Sequence, residues 1–140
     1  MKTVVYGQDE RVRTWVWAKL EEDNSNEDIA IGLEQNGELI AGVVYNMYSG
    51  ASISMSVAAV PGKSWLNREF LHRSFAYPFI QLKCRRVTAL VKVGNDVSVK
   101  FVEALGYKQE GLLRRSHIDG SDMFVYGMLP EECRWIKGHV

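Results

Sequence analysis

The sequence is poor in the features that would take it out of the ordinary globular class. It has two cysteines, Cys84 and Cys133, far apart and with no CxxC spacing or neighbouring histidine ladder. Neither a disulfide framework nor a zinc site is expected, and a reducing compartment is. There is no net charge, because 17 basic residues balance 17 acidic ones, which argues against nucleic acid as a partner. No apolar run approaches the ~20 residues of a membrane span, and the first residues lack the apolar core of a signal peptide. A cytoplasmic protein with no membrane contact is the expectation. No internal repeat or low-complexity linker divides the 140 residues, so one domain over 1–140 is expected.

What is present reads as alternating strands and helices. Residues 3–6 form a short β-branched and aromatic run that ends at Gly7. Asp9 is placed to cap a helix with Val12, Trp15, Val16 and Leu20 at helical spacing. An acidic stretch, 21–28, follows, either a solvated loop or a source of negative potential for a cationic amine. Residues 29–35 and 39–48 read as strands around Asn36-Gly37, a hairpin dipeptide, and 51–60 as a third strand after Ser49-Gly50. Leu66, Phe70, Leu71, Phe75 and Phe79 make a helical stripe that Pro78 should interrupt near Tyr77. Residues 86–93 read as a strand. Residues 111–118 and 123–129 read as a closing hairpin through Asp119-Gly120.

Residues 95–115, NDVSVKFVEALGYKQEGLLRR, are the most specific stretch. Asn95 sits at an N-cap, with Ser98 three residues on. Val97, Phe101, Ala104 and Leu105 share one helical face, and Gly106 supplies the left-handed stop before Tyr107 starts a strand. This pattern, Asn-x-x-Ser, then an aromatic, then Leu-Gly-Tyr, resembles a conserved motif of the GNAT acetyltransferase superfamily. The continuation Glu110-Gly111-Leu112-Leu113-Arg114 resembles the branch of ribosomal-protein alanine N-acetyltransferases. Glu131-Glu132-Cys133-Arg134-Trp135 resembles the ending of small phage-encoded members. The resemblance implies an α/β (α+β) fold, the GNAT fold, with a mixed, mostly antiparallel sheet of about seven strands flanked by helices.

It also implies transfer of an acetyl group from acetyl-CoA to a primary amine by direct attack, the amine belonging to a protein N-terminus, a lysine or a small molecule. The family's phosphate turn falls here on Gly62, Lys63, Ser64 and Arg68. This turn departs from the pattern, because one glycine survives and bulky Trp65 enters. Lys63 and Arg68 are candidate phosphate ligands. The thioester would meet backbone donors near Val57, Ala58 and Ala59, and Asn95 and Phe101 would border the cofactor arm. Many members carry a tyrosine seven residues after the motif asparagine as general acid, and Val102 stands there. Ser98 takes the catalytic role by analogy with the alanine branch, against its alternative as a capping residue. No base stands out among Glu27, Asp28, His117 and Asp119. Two other readings stay open. One is a GNAT-fold binding protein without turnover. The other is a phage-like member acting on nucleic acid through Lys83, Arg85, Arg86 and Lys92. Trp135 and Ile136 in a polar tail mark a contact surface such as a homodimer needs.

Overall fold

The computed structural model describes residues 1–22, 27–62 and 65–137. β1 (Lys2–Val5) leads through Gly7 into α1 (Asp9–Leu20). Gln8, not Asp9, holds the N-cap position. Asp9 is the first helical residue, and its carboxylate accepts the Ala30 N–H at 3.1 Å, which fastens the helix to the next strand. β2 (Ala30–Gln35) and β3 (Glu38–Asn46) meet at Asn36-Gly37. Both turn residues have positive φ, 54° and 82°, as a tight hairpin turn demands. β4 (Ser52–Ala59) then pairs antiparallel with β3.

α2 (Arg68–Ala76) starts later than the apolar stripe predicts, and Leu66 lies exposed outside it. Asn67 is its cap, accepting the Phe70 N–H at 2.9 Å. At Tyr77 the helix widens into a single π-helical turn, Tyr77–Gln81, that accommodates Pro78 at its start. β5 (Arg86–Lys92) follows, alternating buried Val87, Ala89 and Val91 with half-buried residues. α3 (Asp96–Leu105), β6 (Lys108–Leu113), β7 (Met123–Met128) and a 3₁₀ turn, Pro130–Glu132, complete the chain.

The strands form one seven-stranded sheet in the order β1-β2-β3-β4-β5-β7-β6. Every neighbour pair is antiparallel except β4 and β5. The sheet is mixed and mostly antiparallel, as the resemblance implies. Successive β4 side chains alternate between its two faces. Met55 and Val57 pack with Phe70, Phe75, Phe101 and Leu105 on the α2/α3 face. Ala58 packs with Val12, Val16, Trp17 and Leu20 on the α1 face. Burial of each large apolar side chain contributes roughly 1.5–3 kcal/mol.

Two further expectations are corrected. The closing hairpin is not tight: β6 begins at Lys108 and ends at Leu113, so residues 114–122 form a nine-residue link outside both strands. Arg115 takes a left-handed φ of 57° and its N–H donates to the Asp122 carboxylate, which turns the chain out of the ladder. The buried face of α3 is Ser98, Phe101, Val102 and Leu105, while Val97 is half exposed.

Candidate active site

The site forms where two parallel strands part. β4 and β5 pair only at Ser52/Arg86, Ile53/Val87 and Ser54/Thr88. Past that point β4 stays with β3 as far as Ala59/Ala41, and β5 stays with β7 as far as Lys92/Met123. The Ala51 carbonyl accepts the Arg85 N–H, so odd-numbered residues of this strand present their backbone polar groups to the β5 side. On the even side, the Val60 N–H donates to the Ile40 carbonyl toward β3. Val57 and Ala59 therefore aim their N–H and C=O groups into the gap, beyond the last β5 partner. Backbone groups left over from a ladder are ready donors and acceptors for a ligand.

On the α2/α3 face this gap opens into a cavity of about 350 Å³. The end of β4 and the turn after it, with Ala59 and Gly62, form one wall; Val97, Lys100, Phe101 and Ala104 of α3 form the other. Gly62 has φ 100°, and nothing lies within 4 Å of where a Cβ would stand, so the turn needs a glycine and keeps that space open. Trp65 folds back on this turn. Its Nε1–H donates to the Gly62 carbonyl at 2.8 Å, and its ring lies 4.8 Å from that of Phe101. The tryptophan that departs from the family pattern therefore braces the turn. A cradle of this shape, with a left-handed glycine and unpaired strand groups, fits an extended pantetheine arm with a phosphate at its outer end.

The candidate residues distribute as follows. Ala59, Gly62 and Phe101 line the cavity, and Val57 presents its backbone to the gap. Ala58 is buried on the opposite face. Lys63 and Ser64 lie outside the described residues. Arg68 lines a separate cavity. Asn95 caps α3, its side-chain oxygen accepting the Ser98 N–H at 3.2 Å. Ser98 is buried on the inner side of that helix. Val102 is wholly buried, so the position of the family's tyrosine is a core position here. Lys100 and the exposed side of Val97 and Ala104 were missed because a helix face that borders a ligand cavity looks like an ordinary amphipathic margin.

On the other face, a cavity of about 360 Å³ is lined by Lys19 and Glu21 at the end of α1 and by Lys92 to Asn95. Beside it is a polar cluster drawn from three elements. Lys92 Nζ lies 2.7 Å from Glu21 Oε2 and 2.6 Å from Asp119 Oδ2. His117 has a fully buried side chain whose Nε2 is 3.2 Å from the Leu20 carbonyl and whose Nδ1 is 3.0 Å from Asp119 Oδ1. A carbonyl only accepts, so Nε2 carries a proton. The hydrogen bond from Lys92, then those from Ser121, hold Asp119 well below the usual carboxylate range. Burial pushes Glu22 up, with nearby His117 opposing it in part. Glu27 is exposed, whereas Asp28 is half-buried and raised by burial. Of the basic cluster around β5, Arg86 is paired with Glu110 at 2.8 Å and Lys92 with two carboxylates, so a nucleic-acid footprint loses two of its cations.

No family model matches the sequence, and no curated protein does. Solved structures do match. A spermidine N-acetyltransferase from Vibrio cholerae, in complex with CoA and spermine, superposes with a TM-score of 0.70 at 16% identity, over 94% of this chain and 96% of that one. A probable acetyltransferase gives a TM-score of 0.71 at 17% identity, over 94% of each chain. A GNAT-family acetyltransferase from Bacillus anthracis gives 0.59 at 22% identity, over 74% of this chain and 67% of that one. Together with the parted β4 and β5, these matches establish that the chain has the fold of the GNAT acetyltransferases.

Proposed function

We propose that the chain is an N-acetyltransferase that uses acetyl-CoA to acetylate a primary amine in a ternary complex. The observation that carries this reading is the gap between β4 and β5, flanked by the cavity at Ala59 and Phe101 on one face and the cavity at Glu21 and Lys92 on the other. An acyl donor and an amine would meet through the gap from opposite sides. The structural neighbours, acetyltransferases that include a CoA complex, support the same reading.

Bound acetyl-CoA would supply an activated acyl group as a thioester. This chain's residues do the rest. The N–H groups of Val57 and Ala59, aimed into the gap, would donate to the thioester oxygen as charge develops on it, and such fixed donors lower the barrier without reorganisation. The turn around Gly62, braced by Trp65, and Lys100 on α3 hold the phosphate end. On the acceptor side, Glu21 and Asp119 are bridged by Lys92, and their remaining carboxylate oxygens offer acceptors to an amine. Glu22, half-buried next to the cavity-lining Glu21 and raised by burial, would take the proton that the amine must lose before it attacks. Ser98, buried on the inner side of α3, would be the proton source for the departing thiolate, as the motif resemblance implies. The acceptor class is a small or terminal amine, in keeping with the spermine bound by one neighbour.

The test is calorimetry with acetyl-CoA, followed by mass analysis of acetyl transfer to spermidine, to an alanine-initiated peptide and to a lysine peptide. Saturable binding and a gain of one acetyl group on one of these amines are expected. Absence of heat and of a thermal shift at millimolar acetyl-CoA would remove the enzyme reading. Ser98→Ala should keep acetyl-CoA affinity and lose roughly 10²-fold in kcat, the scale of a general acid; unchanged turnover would leave Ser98 as part of the cap alone.

A further inference from the structure

A cavity of about 630 Å³ opens between the first turns of α2 and the last described residues, lined by Arg68, Glu69, His72, Arg134, Trp135 and Lys137. The chain as a whole has no net charge, yet three cations face this one space. Among the described residues, Arg68, Arg134 and Lys137 form no ion pair. Glu69 adds a carboxylate, and its charge also reaches Tyr6 together with that of Arg73, on the other flank of the helix.

The wall carrying Arg134 is firmly built. Its guanidinium donates to the Ala104 carbonyl at the end of α3 and lies over the Trp135 ring, 4.3 Å from the centroid. Trp135 is itself held: its Nε1–H donates to the Leu105 carbonyl at 2.9 Å, and its own carbonyl is 3.1 Å from His72 Nδ1. Arg134 and Lys137 line the same cavity, and both charges pull down the thiol of buried Cys133 against the effect of burial. A guanidinium anchored by one edge keeps other N–H donors free for an anion.

This space shares no lining residue with the donor cavity but is tied to it through Ala104. Ala104 lines the donor cavity while its carbonyl anchors Arg134. Trp65, in the donor wall, stands three residues before Arg68. We propose that Arg68, Arg134 and Lys137 bind a phosphomonoester dianion, the 3′-phosphate on the ribose of CoA. The proposal rests on the donor cavity's taking CoA. A tetrahedral dianion on an extended ligand accepts from several directions, which suits one anchored guanidinium and two exposed cations.

Calorimetry with CoA and with dephospho-CoA, on wild type, Arg68→Ala and Lys137→Ala, tests it. Both substituted residues are exposed, and circular dichroism checks their fold. Wild type should bind CoA about tenfold or more tighter than dephospho-CoA, the scale of hydrogen bonds to a charged group. Each variant should lose most of that preference and bind dephospho-CoA as wild type does. Equal wild-type affinity for the two ligands, or variants that weaken both equally, would overturn the phosphate site and leave the donor reading intact. Failure of wild type to bind either ligand would overturn both.

Discussion

Trp65 changes meaning between sequence and structure. In a turn where small residues are expected, a tryptophan reads as an obstruction. In the fold, its indole N–H closes on the Gly62 carbonyl and its ring packs against Phe101, so the bulk lies inward and the turn is braced. Trp65→Phe keeps much of the ring and removes the donor. It should lower stability by about 1 kcal/mol, the net worth of one hydrogen bond, and weaken acetyl-CoA binding several-fold as the turn loosens. Urea unfolding and calorimetry read the two effects; affinity equal to wild type would show that the brace does not hold the turn. Glu22 makes a pH prediction. Burial raises its pKa above the ordinary 4.5. Its contribution to stability is therefore complete below about pH 4.5 and is lost as pH rises through the raised folded value. Glu22→Gln, neutral throughout, should match wild type in Tm near pH 4 and exceed it near pH 8. A difference in Tm that stays constant with pH would mean the carboxyl titrates normally.

At the scale of elements, the link 114–122 is where sequence reasoning fell short. Asp119-Gly120 is a good turn dipeptide, and residues 111–118 look strand-like. Both signals are local, and neither reveals that Asp122 captures the Arg115 N–H or that His117 Nε2 meets the Leu20 carbonyl almost a hundred residues away in the chain. By contrast, α3 was legible because Asn95 and Gly106 do their work within the helix itself, and both act as expected. The succession of strands and helices along the chain was legible for the same reason, through local turn and cap chemistry. The cavities were not, since each joins residues distant in sequence. Lys92 is the tie that matters most for this link, joining β5 to Asp119 and to Glu21 beyond α1. Lys92→Gln should raise amide hydrogen exchange over residues 116–121 while moving Tm little, as exposed ion pairs do. Protection of that segment equal to wild type would mean that His117 alone secures it.

Over the whole molecule, the sheet separates stability from ligand capture. The α1 face is packed so closely that a Cβ on Gly42 would come within 2.8 Å of Val16 Cγ2 and 3.1 Å of Val12 Cγ1. The α2/α3 face, past Ser54 and Thr88, is held apart, and Ala59 borders the space that results. A single methyl on the first face and a larger side chain on the second should therefore have opposite consequences. Gly42→Ala should destabilise by about 1–3 kcal/mol through overpacking and leave acetyl-CoA affinity near that of wild type. Ala59→Leu should fill the donor cavity, cutting affinity at least about tenfold with little loss of stability, because its added carbons enter open space. Urea unfolding and calorimetry on both variants give the comparison. If Ala59→Leu bound acetyl-CoA like wild type, the gap between β4 and β5 would not be the route of the acyl donor. If Gly42→Ala lost affinity in proportion to stability, the two faces would be coupled through the sheet and the separation argued from Val57 and Ala58, neighbours on opposite faces, would fail.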